Sequence, residues 1–250
     1  MIQDLHSHTY YSLCGRDRPE EIVEAAIAGG IELFGICDHN HGIIHGRRSV
    51  RESLCDEEFD DPERTLRRYF DHIELIREKY AGKIKILRGI EISTSMASRR
   101  IALPKGADVS YFDYCLIEHL SDDKNGTVTE GDLFAYADRL GCPCGIAHTD
   151  MFKFITSRGE DPYTYFKRMA DAGIFWEMNV SFDSIHKYRE HSYMLEFFKN
   201  REQQAIIRES GVRLSVGFDG HRVEDYLPER VADACRRISA MGIKLAFEER

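Results

Sequence analysis

Eight side chains able to bind metal ions follow short apolar runs in this 250-residue sequence. They are six of the eleven histidines and two carboxylates: His6, His8, His39, Glu91, His119, His148, Asp219 and His221. Side chains at i and i+2 of a strand point the same way, so His6 with His8, and Asp219 with His221, form chelating pairs. Imidazole and carboxylate together suit zinc, manganese or iron, and shared carboxylates favour several ions. A single histidine is more often a hydrogen-bonded surface or core residue, but this common position predicts a catalytic metal cluster.

Composition and charge exclude several functions. The hydrophobic fraction of 42% and the charged fraction of 31% are typical of a globular protein. The chain has no apolar stretch near the ~20 residues needed to cross a bilayer and no signal peptide at its start, so we expect a cytoplasmic protein without a membrane partner. The net charge of −9 argues against long nucleic acid, which binds through excess Lys and Arg.

Seven cysteines without regular spacing agree with a reducing compartment in which they remain thiols. Cys142 and Cys144 are separated by one residue, whereas the common redox motif has two. We interpret them as small buried residues that enter a strand.

Short β-rich runs alternate with longer amphipathic stretches, which is typical of βαβ units and a parallel sheet. The predicted strands are residues 2–5, 31–37, 84–90, 114–117, 145–147, 174–180 and 212–218. The predicted helices are residues 19–28, 62–80, 129–140, 161–172, 193–209 and 228–241. Six of the seven strands end in polar residues, and a barrel brings all these ends around one mouth. The sequence therefore predicts an α/β fold, a barrel-like (β/α)7 arrangement in one domain over residues 1–250, with its active site at the C-terminal ends of the strands.

The order of the motifs resembles that of the polymerase and histidinol phosphatase (PHP) superfamily. The matching segments are DLHSHT at residues 4–9, CDHN at 37–40, GIE at 89–91, EH at 118–119, AH at 147–148 and GFDGH at 217–221. They cover nearly the whole chain, and residues 69–87 look most like the histidinol phosphatase branch. The resemblance implies a distorted (β/α)7 TIM-like barrel and a metal-dependent phosphoesterase.

The resemblance also implies how the ligands are shared. One ion would be held by His6, His8, Glu91 and Asp219, a second by Glu91, His119 and His148, and a third by His39 and His221. The superfamily usually adds a histidine to the third site, at the position that Cys14 occupies here. Either the Cys14 thiolate replaces that imidazole, or Arg16 takes its place and binds phosphate with its bidentate guanidinium.

Two or three neighbouring divalent ions suit hydrolysis of a phosphate ester, because one lowers the pKa of a bound water while another stabilises developing charge. Asp219 is the candidate to orient or deprotonate that water, and Glu91 and His221 are the other catalytic candidates. Candidates to bind the phosphate by position are Arg16, Lys187, Arg189 and Arg222. His41 and His186 are candidates to protonate the leaving group.

Polar neighbours should fix the orientation of the ligands. Carboxylates expected in this role are Asp4, Asp38, Glu118 and Asp150. Glu177 and Asn179 end the sixth predicted strand at i, i+2 spacing, so one or both should face the barrel mouth. His191 follows no strand and is interpreted as a surface residue.

The leading functional hypothesis is a phosphomonoesterase acting on a small phosphorylated metabolite, with L-histidinol phosphate the most specific candidate. A phosphodiesterase or nucleotide-directed hydrolase is the alternative within the superfamily. A noncatalytic metal-stabilised module would require ligand losses, and only the Cys14 position is altered. An amidohydrolase barrel typically has a lysine ligand on a middle strand, where this chain has Glu91. The sequence leaves the metal and the oligomeric state open.

Overall fold

The structure is a computed structural model that describes residues 1–46, 61–94, 102–104, 106–120 and 132–248. The strands are β1 (Gln3–Asp4), β2 (Leu33–Ile36), β3 (Lys85–Ser93), β4 (Tyr114–Glu118), β5 (Cys144–Ile146), β6 (Phe175–Asn179) and β7 (Leu214–Gly217). Each pairs in parallel with the next, from β1 to β7. Leu5 N donates to Val216 O at 2.9 Å, and Ser7 bridges to Gly220, so the last strand meets the first. The predicted distorted (β/α)7 barrel is confirmed.

Helices cover the outside of the barrel. They are α1 (Pro19–Ala28), α2 (Asn40–His45), α3 (Pro62–Lys79), α4 (Leu133–Leu140), α5 (Met151–Ser157), α6 (Pro162–Asp171), α7 (Ser192–Phe197), α8 (Arg201–Ser210) and α9 (Pro228–Ala240). Pro19, Pro62 and Pro228 stand in the first turn of their helices, as the sequence predicts. No helix in the described part of the chain is long and apolar enough to cross a membrane.

The helices differ from the predicted ones in two places, and one predicted helix is only partly described. The helices α2 and α5 were not expected, because six or seven residues are too few to show a helical period. The predicted helix at 193–209 is two helices, since the Asn200 side chain accepts hydrogen bonds from the backbone N–H groups of Glu202 and Gln203 and starts α8. The predicted helix at 129–140 begins outside the described residues, and its described part starts after the cap residue Asp132.

The barrel interior alternates large and small residues. Leu87 and Tyr114 belong to the interior cluster, whereas Ile86 and Ile90 pack against the helices. The Tyr114 ring crosses the interior and its hydroxyl donates to Leu5 O at 2.6 Å. A Cβ atom at Gly89 would lie 2.4 Å from the Tyr114 ring, so glycine is required beside it. The N-terminal half of the barrel interior is therefore a filled apolar core.

The chain after β7 closes the N-terminal end of the barrel. Ala246 N donates to Leu214 O at 2.7 Å, and the Gln3 side chain donates to Ala246 O at 2.6 Å. Phe247 places its ring 5.9 Å from that of Tyr114 and 5.8 Å from that of Phe175. Polar chemistry is thereby confined to the opposite end, at the C-terminal mouth.

The strand β3 is longer than expected and runs through Ser93. Glu91 therefore lies within the strand, whereas the sequence interpretation placed it just after the strand end. Its N–H donates to Asp38 O at 3.0 Å, and it pairs in register with Leu116. The buried carboxylate of Glu91 interrupts the apolar run but not the hydrogen-bonded ladder. The strand predicted from the apolar run therefore ended too early.

Candidate metal centre and active site

Four donor side chains converge at the mouth of the barrel. His6 Nε2 lies 3.3 Å from Glu91 Oε1 and 3.4 Å from Asp219 Oδ1. His8 Nε2 lies 3.0 Å from the same Asp219 oxygen and 3.1 Å from His6 Nε2. All four side chains are buried. Ligands about 2.1 Å from a tetrahedral ion lie about 3.4 Å apart, so these separations suit one bound cation.

The loops after β1 and β7 hold this group together. Asp219 N donates to His6 O at 2.8 Å, and His8 N donates to Gly220 O at 2.8 Å. The strands themselves end earlier, so the predicted i, i+2 pairs lie in irregular continuations of the strands. Asp219 has a left-handed backbone with φ of 57°, a conformation that costs energy for this residue type and is common at functional sites.

A second group of donors shares Glu91 with the first. Glu91 Oε2 lies 2.7 Å from His39 Nδ1, and Glu91 Oε1 lies 3.2 Å from His148 Nε2. Within the described part of the chain, the two buried atoms His39 Nδ1 and Glu91 Oε2 have no hydrogen bond of acceptable angle despite their short separation. Both atoms therefore point toward common space, which is the arrangement expected of two ligands of one cation. Glu91 occupies a bridging position between the two groups.

Glu118 also reaches the second group, whereas the sequence analysis predicted it only as a neighbour of the ligands. Its carboxylate lies 3.4 Å from His39 Nδ1 and 3.9 Å from His148 Nε2. The signal was available, because Tyr114, Leu116 and Glu118 share one face of β4. His119 follows with a left-handed φ of 60° and a half-exposed side chain, and its Nδ1 lies 3.2 Å from Glu118 Oε2.

The Cys14 thiol lies beside the histidines expected at the third site. The rings of His39 and His221 each stack against that of His8, with centroid distances of 4.5 and 4.4 Å, and one ring nitrogen from each of the three histidines lies within 4.8 Å of the others. Burial opposes ionisation of the Cys14 thiol, but its hydrogen bonds with His221 and His39 lower its pKa to about 6. Arg16 is exposed, and only its backbone N–H reaches His221, at 3.3 Å from the carbonyl oxygen. The structure thus brings Cys14, rather than the Arg16 side chain, to these imidazoles.

The other cations predicted to bind phosphate lie outside the cluster. Lys187 and Arg189 are exposed in the loop after β6. Arg222 lies 3.7 Å from Glu224 and lines a small cavity between α1 and the barrel wall. Their substrate-binding roles remain predictions.

The loop after β6 contributes polar residues to the mouth. His186 Nε2 lies 3.0 Å from Asp219 Oδ2, and its Nδ1 lies 2.7 Å from Asp183 Oδ1. Burial opposes protonation of His186, but the hydrogen bonds to Asp183 and Asp219 raise its pKa to about 10. His191 is partly buried, with its ring stacked 6.0 Å from that of His148. The interpretation of His191 as a surface residue was wrong, because the loop folds back over the mouth.

Neighbouring side chains fix the imidazoles. Glu177 Oε1 lies 2.7 Å from His6 Nδ1, and Glu177 Oε2 accepts from His148 N at 2.7 Å. Asn179 donates to Asp219 Oδ2 at 3.3 Å. Ser12 Oγ lies 3.1 Å from His8 Nδ1 and donates to an oxygen of a buried carboxylate, that of Asp38. Such partners set the tautomer and direction of histidine ligands.

The expected supporting carboxylates differ in what they hold. Asp4 accepts hydrogen bonds from His6 N and Phe218 N, at 3.2 and 3.0 Å, and so joins the two ligand loops. Burial raises the pKa of Asp4 to about 6 despite these bonds. Asp150 instead caps α5 by accepting from Lys153 N at 3.0 Å.

The carboxylates and imidazoles of the cluster shift one another's pKa values. Although burial favours their neutral forms, the neighbouring histidines hold the pKa of Glu91 and of Asp219 well below the usual range. Burial likewise opposes protonation of His6, but Asp219 and other carboxylates raise its pKa well above the usual value. Burial, and then the charge of His39, lower the pKa of His8. Cations that bind here would replace protons on the imidazoles.

Residues 4–221 match the model of the PHP domain family. The chain belongs to the PHP family. This membership confirms the family resemblance predicted from the order of the motifs. A search of curated protein sequences finds no significant match.

Solved structures share the fold at low sequence identity. Histidinol phosphate phosphatase from Lactococcus lactis, determined with zinc, L-histidinol and phosphate, is 16% identical with a TM-score of 0.53 over 98% of this chain and 95% of that chain. A chain from the crystal structures of YwqE of Bacillus subtilis and CpsB of Streptococcus pneumoniae, described as metal-dependent tyrosine phosphatases, is 14% identical with a TM-score of 0.49, over 94% of this chain and 87% of that chain. At these identities the likeness concerns the fold.

Proposed function

We propose that this PHP-family hydrolase is a phosphomonoesterase that releases phosphate from a small phosphorylated metabolite, with L-histidinol phosphate as the first substrate to test. The observation that carries the proposal is the buried cluster in which Glu91 links two groups of histidine and carboxylate donors. The Lactococcus lactis phosphatase, which shares the fold, was determined with zinc, L-histidinol and phosphate. That structure supports testing the same class of substrate here.

Two or three divalent ions, zinc, manganese or iron, fit the donor set. The candidate ligands are His6, His8, Glu91 and Asp219 for one ion, Glu91, Glu118, His119 and His148 for a second, which His39 Nδ1 also faces, and Cys14, His39 and His221 for a third. When bound, such ions acidify a water molecule and neutralise charge on the phosphate oxygens. The buried carboxylates would hold these cations at the mouth of the barrel, and their positive charge would attract an anionic substrate.

Asp219 is the residue that we propose orients the attacking water. One oxygen lies 3.0 Å from His8 Nε2 and the other lies 3.0 Å from His186 Nε2. Because its pKa is well below the usual range, Asp219 accepts hydrogen bonds better than it removes protons. Glu91, which bridges the two groups of donors, and His221, a candidate ligand of the third ion, complete the proposed catalytic set.

His186 is the better placed of the two predicted leaving-group acids. Asp183 holds its Nδ1 at 2.7 Å, which directs Nε2 toward Asp219 and the mouth. The carboxylates of Asp183 and Asp219 favour the protonated ring despite its burial, and this form can donate a proton to the departing oxygen. His41 is buried beside His39, with a distance of 5.1 Å between ring centroids.

The phosphate-binding cations come from the rim. Arg16, Lys187 and Arg189 are exposed on the loops after β1 and β6, which frame the cluster. Long flexible side chains in these positions can reach the non-reacting oxygens of a bound phosphate. Arg222, which lines the cavity beside α1, would have to leave Glu224 to do so.

The test is phosphate release by the purified protein from histidinol phosphate, sugar phosphates, mononucleotides, phosphotyrosine and a phosphodiester. We expect turnover of a monoester, loss of turnover with a chelator, and loss in His119→Ala. The control His72→Gln changes a half-buried histidine that contacts Tyr11 away from the cluster and should keep activity. Full activity in metal-free protein contradicts the proposed mechanism, and turnover of the diester alone contradicts the monoesterase.

Three further variants distinguish the role of Cys14 from that of Arg16. If Cys14 is a ligand, Cys14→His should keep or raise the metal content, whereas Cys14→Ser should lower it. Arg16→Ala should leave the metal content unchanged and raise KM through weaker phosphate binding. An unchanged metal content in Cys14→Ser, together with impaired turnover in Arg16→Ala, contradicts the ligand role of Cys14.

A further inference from the structure

We propose that Cys115, Cys142 and Cys144 form a second metal site, separate from the active centre, that binds a soft divalent cation such as Zn²⁺ through thiolates. The three sulfur atoms lie within 4.8 Å of one another, and Cys115 Sγ lies 3.3 Å from Cys144 Sγ. Thiolates bound about 2.3 Å from a tetrahedral zinc ion lie about 3.8 Å apart. The cluster therefore needs only small adjustments of its side chains to hold an ion.

The fold brings these cysteines together from two strands and a loop. Cys115 and Cys144 are register partners in the parallel strands β4 and β5. Cys115 N donates to Pro143 O at 2.9 Å, and Cys144 Sγ lies 3.2 Å from Cys142 O. These contacts place the loop before β5 against β4 and bring the Cys142 thiol close to the thiols of Cys115 and Cys144. The interpretation of Cys142 and Cys144 as small residues entering a strand describes their place but misses the third cysteine.

The cluster lies on the other side of the barrel wall from the active centre. Cys115 packs with the helix-facing core, whereas Glu118, three residues later, faces the mouth. At about 3.3 Å per residue, three residues of strand separate the two places by about 10 Å. An ion held by these thiols would brace the starts of β4 and β5 and take no part in hydrolysis.

Tyr136 provides a second observation at this place. It is 6% exposed, and its hydroxyl has no hydrogen bond to any residue that the structure describes. Burial, and then the nearby thiols of Cys115 and Cys144, raise the pKa of this hydroxyl. A structural zinc site is four-coordinate, so three thiolates leave one position for a further donor.

The Cys142 sulfur faces both of the other thiols, and its ligand atom lies within 4.8 Å of theirs. The thiolate is the form that binds metal ions. Zn²⁺ binding would release the protons of these thiols.

The test combines metal counting with thiolate spectroscopy on the full chain. Metal content per chain and thiolate-to-Co²⁺ charge-transfer absorption are measured in wild type, Cys142→Ser, Cys14→Ser and Cys235→Ser. Cys14→Ser reports any thiolate at the active centre, and Cys235→Ser removes a buried thiol from α9. We expect Cys142→Ser to hold one ion fewer than wild type and to lose absorption that both controls retain.

A second test uses only the wild-type protein, so it does not depend on whether a variant folds. Zn²⁺ added to chelator-treated protein should protect Cys142 from alkylation, as read by peptide mass mapping. Equal metal content and equal absorption in wild type and Cys142→Ser contradict the site, as does alkylation of Cys142 at the same rate with and without Zn²⁺. Absorption that disappears only in Cys14→Ser assigns the thiolate to the active centre and also contradicts the site.

Discussion

Replacing Glu177 with glutamine should weaken metal binding while leaving the barrel folded. The two Glu177 oxygens accept from His6 Nδ1 and His148 N, each at 2.7 Å. Glutamine offers one oxygen and one NH₂ group. If its oxygen accepts from His148 N, its NH₂ faces His6 Nδ1 and favours the tautomer with a proton on Nε2. That proton occupies the atom that faces Glu91 and Asp219, and so blocks its lone pair.

The size of the effect follows from this loss of orientation. Changing a residue that orients a histidine ligand typically costs 10–100-fold in metal affinity, or about 1.4–2.7 kcal/mol. The assay is a competition titration of chelator-treated protein with Zn²⁺ or Mn²⁺, with thermal unfolding as the check on folding. Glu196→Gln, an exposed change on α7, is the matched control. Wild-type affinity in Glu177→Gln would refute the argument that Glu177 sets the His6 tautomer.

Three further predictions concern the barrel and its charges. Arg88 holds Asp113 through bonds of 2.7 and 2.9 Å, which lower the carboxyl's pKa despite burial. That stability is present above the ordinary pKa of about 3.9 and lost as pH falls through the lower folded value. Denaturant titrations should thus show that Asp113→Asn costs about 1–3 kcal/mol at pH 7 and loses less stability in acid; an unchanged pH profile contradicts the pair. Gly89→Ala should cost about 1–3 kcal/mol by crowding Tyr114, and wild-type stability contradicts this packing. Because the pKa of His6 is raised, calorimetry should show metal affinity rising with pH and proton release on binding; a pH-independent affinity contradicts proton displacement.

Much of the fold could be predicted because its signals are local. Apolar runs marked all seven strands, and prolines marked three helix starts. Short elements were missed, because α2 and α5 have too few residues for a helical period. The predicted strand at 84–90 stopped just before the buried carboxylate of Glu91, whereas β3 continues to Ser93. A sequence pattern cannot distinguish a charged residue that ends a strand from one inside it.

Part of the site was also predictable, because its ligands directly follow strands in the sequence. Residues directly after strands, such as His6 and His8, inherit their position from the barrel and meet as expected. Glu118 could have been found by continuing the two-residue period of β4 from Tyr114. The positions of Asp183, His186 and His191 could not, because they depend on how the loop after β6 folds back.

The cysteines show the same limit. The spacing from Cys14 to Arg16 left two candidates for one place, and only the path of the loop after β1 brings the thiol to His39 and His221. The spacing between Cys142 and Cys144 gave no indication of Cys115, which joins them through the pairing of β4 with β5. Contacts across parallel strands depend on register, which one sequence does not reveal.

The central claim is that Glu91 links two groups of donors into one multinuclear metal centre. The most direct measurement is the number of ions bound per chain in wild type and in Glu91→Gln, determined with phosphate release on the same samples. Wild type should bind at least two ions at this centre, and Glu91→Gln should lose metal and activity together, with the fold retained. Equal metal content in the two proteins, or full activity in Glu91→Gln, would contradict it.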